Sequence, residues 1–234
     1  MFYFGKRCEK VAHICTKMHI FAQNVCAMFA KNTLYFVLVV LGLCFSNETN
    51  AQSRLYPKGR AHSKDPVNSY YAKIDRLLLN NRELDDFAFT IKPSFSGEQG
   101  CYYVSESSEL VLKSAKKSIW YSKSTEIDEY RCKISRNTAS LLKELFSAAV
   151  FSSSYLAQPN GLDGVTYEIL IERGYYTAEC WSPKKNTNCS KLTEILDKLS
   201  SAVKSSDQAA IENLTPEITE LTGEFKKLYP EDTK

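Results

Sequence analysis

Histidine is scarce in this chain, which has three among 234 residues. Only His62 follows the leader predicted below, and no motif surrounds it. Because histidine is the usual general base near neutral pH and a common metal ligand, its scarcity disfavours Ser-His-Asp, Cys-His and histidine–zinc catalysis. A G-x-S-x-G motif, a phosphate-binding glycine loop and a dinucleotide fingerprint are missing too. We therefore expect no cofactor and no metal site.

Long apolar runs are also missing. The longest, Leu34–Phe45, has 12 residues, whereas a bilayer-spanning helix needs about 20. A short apolar run followed by Thr49-Asn50-Ala51 predicts a signal peptide that is cleaved near Ala51. Met28 would give this leader a more ordinary start. We therefore expect a secreted or periplasmic protein with no stable membrane span in its mature part.

A lipidated Cys44 is the first alternative to simple cleavage. Leu41-Gly42-Leu43-Cys44 resembles a lipoprotein signal, but Leu43 is bulkier than the residue that usually precedes such a cysteine. An uncleaved membrane anchor is the second alternative. The sequence favours cleavage near Ala51 over both.

The mature chain has no excess charge of either sign. The whole sequence has 30 basic and 27 acidic residues, of which residues 1–51 hold five and two. The remainder therefore has 25 of each, and no basic stripe stands out. A neutral domain has no field that attracts nucleic acid, so we expect no nucleic-acid partner.

Four of the eight cysteines lie in the mature chain: Cys101, Cys132, Cys180 and Cys189. An even number in an exported chain suggests two disulfides, with three possible connectivities. We favour Cys180–Cys189, which would close a short polar loop and leave Cys101 to pair with Cys132. Buried free thiols are the alternative.

The pattern of elements predicts a single α+β domain over residues 65–234, preceded by a flexible lead-in over residues 52–64. A helix from Asp65-Pro66 to about Asn80 comes first, because Asp65 can cap it and Pro66 suits its first position. Strand-like segments, a helix, a hairpin and two or more further helices follow. Without alternating crossover helices, this order predicts an antiparallel sheet with helices mainly on one face. The predicted strands are Phe87–Ile91, Cys101–Val104, Leu110–Lys113, Ser118–Ser122, Tyr130–Ser135, Val165–Ile171 and Tyr175–Trp181.

The C-terminal segment 207–229 repeats apolar residues at steps of three and four, as in a heptad seam. The seam consists of Ile211, Leu214, Ile218, Leu221, Phe225 and Leu228. Two short helices that dock on their own domain explain this pattern, and a surface for a partner or a second copy is the alternative.

Special residues are densest between Gly161 and Pro183. Asp163-Gly164 is a turn signal, and large amphipathic side chains follow on the two strands of the hairpin. Such side chains either pack in a core or form a shallow binding surface. The candidate binding residues are Asp163, Tyr167, Tyr175 and Trp181.

This stretch resembles a group of exported bacterial proteins that have no established activity. They carry a G-x-D-G turn, a strand with an aromatic residue and Glu, and a return strand that ends in W-S-P. Tyr167 stands where Trp is usual in that group, and Tyr176 where His often occurs. The resemblance implies an α+β domain and supplies no catalytic residue. The matching residues here are Gly161, Asp163, Gly164, Tyr167, Trp181, Ser182 and Pro183.

The sequence therefore favours an exported, non-catalytic protein that binds a protein or a small ligand. One alternative is a hydrolase that uses a serine or a pair of carboxylates. Its candidate acids are Asp163, Glu168, Glu172 and Glu179. The other alternative is an envelope assembly protein that uses the C-terminal seam.

Overall fold

The computed structural model describes residues 53–58, 66–80, 87–156, 163–172 and 175–229. Their strands form one antiparallel sheet of seven strands in the order β1-β7-β6-β2-β3-β4-β5. This confirms the predicted α+β class. The strands are β1 (Tyr56–Pro57), β2 (Phe87–Pro93), β3 (Gln99–Val104), β4 (Glu109–Ala115), β5 (Ile127–Lys133), β6 (Val165–Ile171) and β7 (Tyr176–Trp181).

The helices begin and end at recognisable signals. Ser135 caps the second helix by accepting a hydrogen bond from the Thr138 amide, and Thr187 forms a capping box with Ser190 at the start of the third. The first helix ends before Asn80, whose positive φ of 49° leaves the helical region. The helices are α1 (Pro66–Leu78), α2 (Arg136–Phe151), α3 (Asn188–Lys204), α4 (Gln208–Glu212) and α5 (Thr215–Lys226).

The two faces of the sheet differ because strand residues alternate in direction. On the core face, Phe87, Phe89 and Ile91 of β2 pack with Ile169 and Ile171 of β6. Helices α2, α3, α4 and α5 pack on this side and contribute to the same apolar cluster. On the opposite side, which we call the outer face, α1 lies against β3 and β4. Gly100 marks this contact, since an added Cβ would meet the Leu78 Cβ at 2.7 Å.

The C-terminal seam is part of the core. Ile211, Ile218, Leu221 and Phe225 are each at most 2% exposed, and they join the cluster that covers the core face. Leu228 is partly buried and packs against the same cluster. The apolar periodicity of residues 207–229 therefore reflects docking on the chain's own domain.

Three expectations from the sequence need correction. Residues 118–122 form no strand: Ser118 and Ile119 are buried and donate hydrogen bonds to Glu98, whereas Trp120 and Tyr121 are exposed. Part of the lead-in predicted to be flexible is the edge strand β1, which pairs with β7.

Among the described residues no helix is long and apolar enough to cross a membrane.

The third correction concerns the cysteines. Cys101, Cys132, Cys180 and Cys189 are all free and buried. Cys101 is on β3 and Cys132 is on β5, with β4 between them. Two strand spacings amount to about 9–10 Å, beyond the Cα separation of about 7 Å that a disulfide can span. The expected Cys101–Cys132 bridge is therefore wrong.

Several expectations fall outside the described residues. These are the leader 1–51 with Met28 and Cys44, the position of His62, and the proposed cap at Asp65.

Candidate functional site

Charged residues occupy the outer face of the central strands. On β2, Thr90 and Lys92 alternate with the core residues Phe89 and Ile91. On β6, Glu168 alternates with Tyr167 and Ile169 and lies opposite Thr90 in the register. Such alternation normally indicates a face in water. Here, however, Lys92 and Glu168 are each only 6% exposed.

The charges on this face are paired with one another. The Lys92 ammonium lies 2.7 Å from Glu168 Oε2, and the Thr90 hydroxyl donates to the same oxygen at 3.3 Å. Lys58, directly after β1, lies 3.5 Å from Glu168 and 3.0 Å from Glu179. Two lysines and two glutamates thus balance within one buried network, as a buried charge requires. We call Lys58, Thr90, Lys92, Glu168 and Glu179 the charge cluster.

Tyr71 of α1 contacts this cluster. The Lys58 ammonium lies 3.4 Å from the centroid of the Tyr71 ring, and the Lys92 ammonium lies 4.6 Å from it. Both distances fall within the range of cation–π attraction. Burial alone would lower the pKa of Lys58, but Glu168 and Glu179 outweigh it and raise that pKa above its ordinary value. Lys58 therefore keeps its charge throughout the physiological pH range.

A second buried acid, Glu98, holds the neighbouring loop. The Tyr70 hydroxyl donates to Glu98 Oε1 at 2.9 Å, and the Ser118 hydroxyl donates to the same oxygen at 3.1 Å. The Ile119 amide donates to Oε2 at 2.7 Å. Burial, followed by the charge of Glu98, raises the pKa of Tyr70 above its usual value, so this phenol stays protonated. Glu98 thereby fixes α1 and residues 118–122 on either side of one opening.

That opening is a cleft of about 190 Å³, which we call the aromatic cleft. Its edge is aromatic: the Tyr70 and Trp120 rings meet edge to face with centroids 5.0 Å apart, and the Tyr70 and Tyr71 centroids are 5.5 Å apart. Tyr121 is 68% exposed at the rim. An open pocket with aromatic walls and a few fixed polar groups is the usual form of a small-ligand site. The cleft is lined mainly by Tyr70, Tyr71, Lys92, Glu98, Trp120 and Tyr121.

The structure separates the four residues that the sequence suggested for binding. Tyr167 points to the core face, where its hydroxyl donates to Asp197 of α3 at 3.1 Å. Trp181 alternates with the core residue Cys180, so it lies on the outer face. Asp163 is in the bend before Gly164, whose added Cβ would meet the Trp181 ring at 2.9 Å. Tyr175 is 83% exposed at the other end of the hairpin.

The Tyr167–Asp197 contact has a structural character. Burial raises the pKa of Asp197, partly offset by the hydrogen bond from Tyr167. Burial, followed by the charge of Asp197, raises the pKa of Tyr167. The hydrogen bond therefore joins β6 to α3, and we do not assign it to a ligand site.

Sequence reasoning missed the residues that form the cleft. Lys92 directly follows the predicted strand Phe87–Ile91, Glu98 lies between two predicted strands, and neither belongs to a recognisable motif. One signal was present: the large aromatic residues Trp120 and Tyr121 are adjacent in a segment otherwise rich in serine and lysine. Adjacent large aromatic side chains that are exposed indicate a contact surface.

Cys180 and Cys189 are neighbours, unlike Cys101 and Cys132. A hydrogen bond to Cys189, together with burial, raises the pKa of the Cys180 thiol. Cys180 is on β7 and Cys189 is in the first turn of α3. A buried, protonated thiol such as that of Cys180 is a poor nucleophile.

In the described part of the chain, no group of three or more His, Cys, Asp or Glu side chains is placed to hold a metal ion. No family model matches this sequence, and none of the curated proteins matches it either.

Proposed function

We propose that this protein is an exported, non-catalytic binding protein that holds a small ligand in the aromatic cleft. The observation that carries the proposal is the placement of Trp120 and Tyr121. Both are exposed beside a cavity whose polar floor is already built from bonded side chains. Export is the second part of the proposal and rests on the run Leu34–Phe45 followed by Thr49-Asn50-Ala51.

The geometry gives less support to a hydrolase. Glu168 and Glu179 lie directly opposite each other on β6 and β7, so their carboxylates are neighbours. Both, however, contact Lys58, and Glu168 also contacts Lys92. General acid–base catalysis needs one carboxyl that is free to gain and lose a proton near the substrate. Asp163 and Glu172 are both exposed, and neither lines the cleft.

An assembly role through the C-terminal seam loses its main argument. The side chains that would form the seam are buried in the chain's own core. Use of the seam as an interface would require these side chains to leave the core, whereas binding in the aromatic cleft requires no rearrangement of the core.

Saturation-transfer NMR with four named probes tests the binding function. The probes are choline, N-acetylglucosamine, benzoate and glycyl-tyrosine, which represent a cation, a sugar, an aromatic anion and a zwitterion. We expect saturable binding of at least one probe, with loss of the signal in Trp120→Ala and Tyr121→Ala. Tyr155 is also an exposed aromatic residue, but it does not line the cleft. The control variant Tyr155→Ala should therefore bind the probes normally. Absence of binding by all four probes, or binding that survives both cleft variants, would overturn the proposal.

A disulfide between Cys180 and Cys189 is a separate proposal, supported by their contact and by the oxidising compartment that export implies. It would join β7 to the start of α3 and add about 2–3 kcal/mol to the free energy of unfolding. The mass of the secreted product should fall by about 2 Da relative to its reduced form, with Cys101 and Cys132 remaining alkylatable after unfolding. The same mass fixes the processed N-terminus. Four alkylatable thiols in the secreted product would contradict the bridge.

A further inference from the structure

Glu98 differs from the other buried acids on the outer face because its partners are all neutral. It is 0% exposed and accepts from the Tyr70 hydroxyl, the Ser118 hydroxyl and the Ile119 amide. Glu168 and Glu179, by contrast, share the ammonium of Lys58. Within the described residues, no lysine or arginine nitrogen lies within ion-pair distance of Glu98.

Among the described side chains around the aromatic cleft, Lys58 and Lys92 pair with Glu168 and Glu179, whereas the hydrogen-bond donors to Glu98 are neutral. A carboxylate in a medium of low polarity is stabilised by a nearby positive charge. A ligand that brought a positive charge into the cleft would supply one for Glu98, whereas an anion would be repelled.

The walls of the cleft favour the same sign of charge. The face of an aromatic ring is negative and attracts ammonium groups within about 6 Å of its centroid. The Tyr71 ring is already engaged by the ammonium groups of Lys58 and Lys92, so a ligand would instead meet the Tyr70 and Trp120 rings, which also line the cleft. Tyr70 and Trp120 are nearly perpendicular, at 79°, so a small cation beside them would contact one ring face and one ring edge.

Size restricts the ligand further. At about 190 Å³ the cavity is smaller than the roughly 300–1,000 Å³ of sites for drug-sized molecules. It suits one small head group with the rest of the ligand outside. Glu98 is covered by its three donors, so its charge acts across the Tyr70 and Ser118 hydroxyls rather than by direct contact.

We propose that the aromatic cleft binds an organic cation, with a substituted ammonium group placed beside the Tyr70 and Trp120 rings and drawn inward by the Glu98 carboxylate. This inference rests on the proposed binding function and names its ligand class. Substituted ammonium suits the site better than a bare ammonium because its methyl groups pack on aromatic rings while it needs no strong hydrogen-bond acceptor.

Tryptophan fluorescence provides the test, because the chain has two tryptophans. A full-length Trp181→Phe variant leaves Trp120 as the reporter. It is titrated with choline and with 3,3-dimethylbutan-1-ol, which replaces the charged nitrogen of choline by carbon. We expect saturable quenching by choline and at least about tenfold weaker binding of the neutral analogue. Choline binding should also weaken as sodium chloride is raised.

Variants then assign the charge effect. In the same background, Glu98→Gln should reduce the preference for choline over the neutral analogue to less than about threefold, and Tyr121→Leu should weaken choline binding. Tyr155→Leu, outside the cleft lining, should change neither. If Glu98→Gln does not fold, as judged by near-ultraviolet circular dichroism, the comparison of the two probes on folded protein still decides the proposal.

The possible outcomes distinguish the proposal of a cationic ligand from the more general proposal that the cleft binds a small ligand. Equal affinity for choline and its neutral analogue would overturn the cation proposal. Binding of N-acetylglucosamine or benzoate without choline would also overturn it, while the cleft would remain a binding site. Failure of every probe would reject both proposals together.

Discussion

Single residues on the outer face show how context changes the meaning of a charge. Lys92 and Glu168 sit at alternating strand positions that a sequence reader assigns to solvent. Their exposed fraction of 6% equals that of Ile91, and they pair at 2.7 Å. Removal of one partner lowers the free energy of unfolding far more for a buried ion pair than for a surface pair, because the remaining buried charge cannot be hydrated.

Replacement of Lys92 tests this difference. Lys92→Met should lower the free energy of unfolding by about 3–5 kcal/mol, because Glu168 stays buried with weaker compensation. The double variant Lys92→Met/Glu168→Leu should lose less than the sum of its two single variants. Urea denaturation measures both effects.

A surface ion pair provides the matched control. Lys116 and Glu126 also approach to 2.7 Å, but their side chains are 51% and 79% exposed. Lys116→Met should therefore change the free energy of unfolding far less than Lys92→Met does, because solvent screens the exposed pair. If Lys92→Met were as mild as Lys116→Met, the outer-face pair would not be buried as described.

At the scale of elements, short polar contacts decide how the helices are joined. Helix α4 has five residues, too few to be stable alone. Its Glu212 carboxylate accepts from the Ser135 amide at 2.9 Å and from the Ser135 hydroxyl at 3.2 Å. Ser135 caps α2, so Glu212 also lies at the positive end of that helix. The contact ties α4 to α2 across 77 positions of sequence.

This contact predicts a pH-dependent stability. Burial raises the pKa of Glu212, but the hydrogen bonds from Thr138 and Ser135 outweigh it and leave the pKa below its ordinary value of 4.5. A lowered folded pKa means that Glu212 stabilises the fold above about pH 4.5 and loses this effect as the pH falls further. Glu212→Gln should therefore cost about 1 kcal/mol at pH 7 and progressively less towards pH 3.

Thermal unfolding between pH 3 and pH 7 measures the effect. Glu220→Gln, on an exposed position of α5, serves as the control and should follow the parent chain at every pH. A cost for Glu212→Gln that stayed constant over this range would show that the charge of Glu212 is not involved.

At the scale of the whole molecule, the sheet has two faces with different tasks. Four helices pack on the core face, and α1 covers part of the outer face. The aromatic cleft lies where this cover ends, between α1 and residues 118–122. The last two helices belong to the core, so they should be needed for folding rather than for association.

Phe225 tests the role of the C-terminal helices. Phe225→Ala should lower the free energy of unfolding by about 3–5 kcal/mol, because the side chain is 2% exposed and leaves a cavity. A chain that stops at Asp207 should lack near-ultraviolet circular dichroism. Glu220→Ala should match the parent in both stability and native mass. If the truncated chain folded and formed a smaller particle than the parent, the seam would be an interface instead of part of the core.

The amino-acid sequence by itself determined the α+β class, the hairpin of β6 and β7, and the apolar faces of α2, α3 and α5. These features depend on local periodicity and on turn and capping residues, which each segment carries alone. It also placed Cys180 near Cys189, because they are close along the chain.

Only the tertiary structure decided what lies on the outer face. Lys58, Lys92 and the hairpin residues Glu168 and Glu179 come from three distant parts of the sequence, and they meet because β1, β7, β6 and β2 are neighbours in the sheet. Strand order also separated Cys101 from Cys132. The aromatic cleft depends on α1 and the loop around Trp120 reaching the same buried acid, Glu98, from two directions. No local sequence pattern predicts these contacts, because they form between groups that become neighbours only after folding.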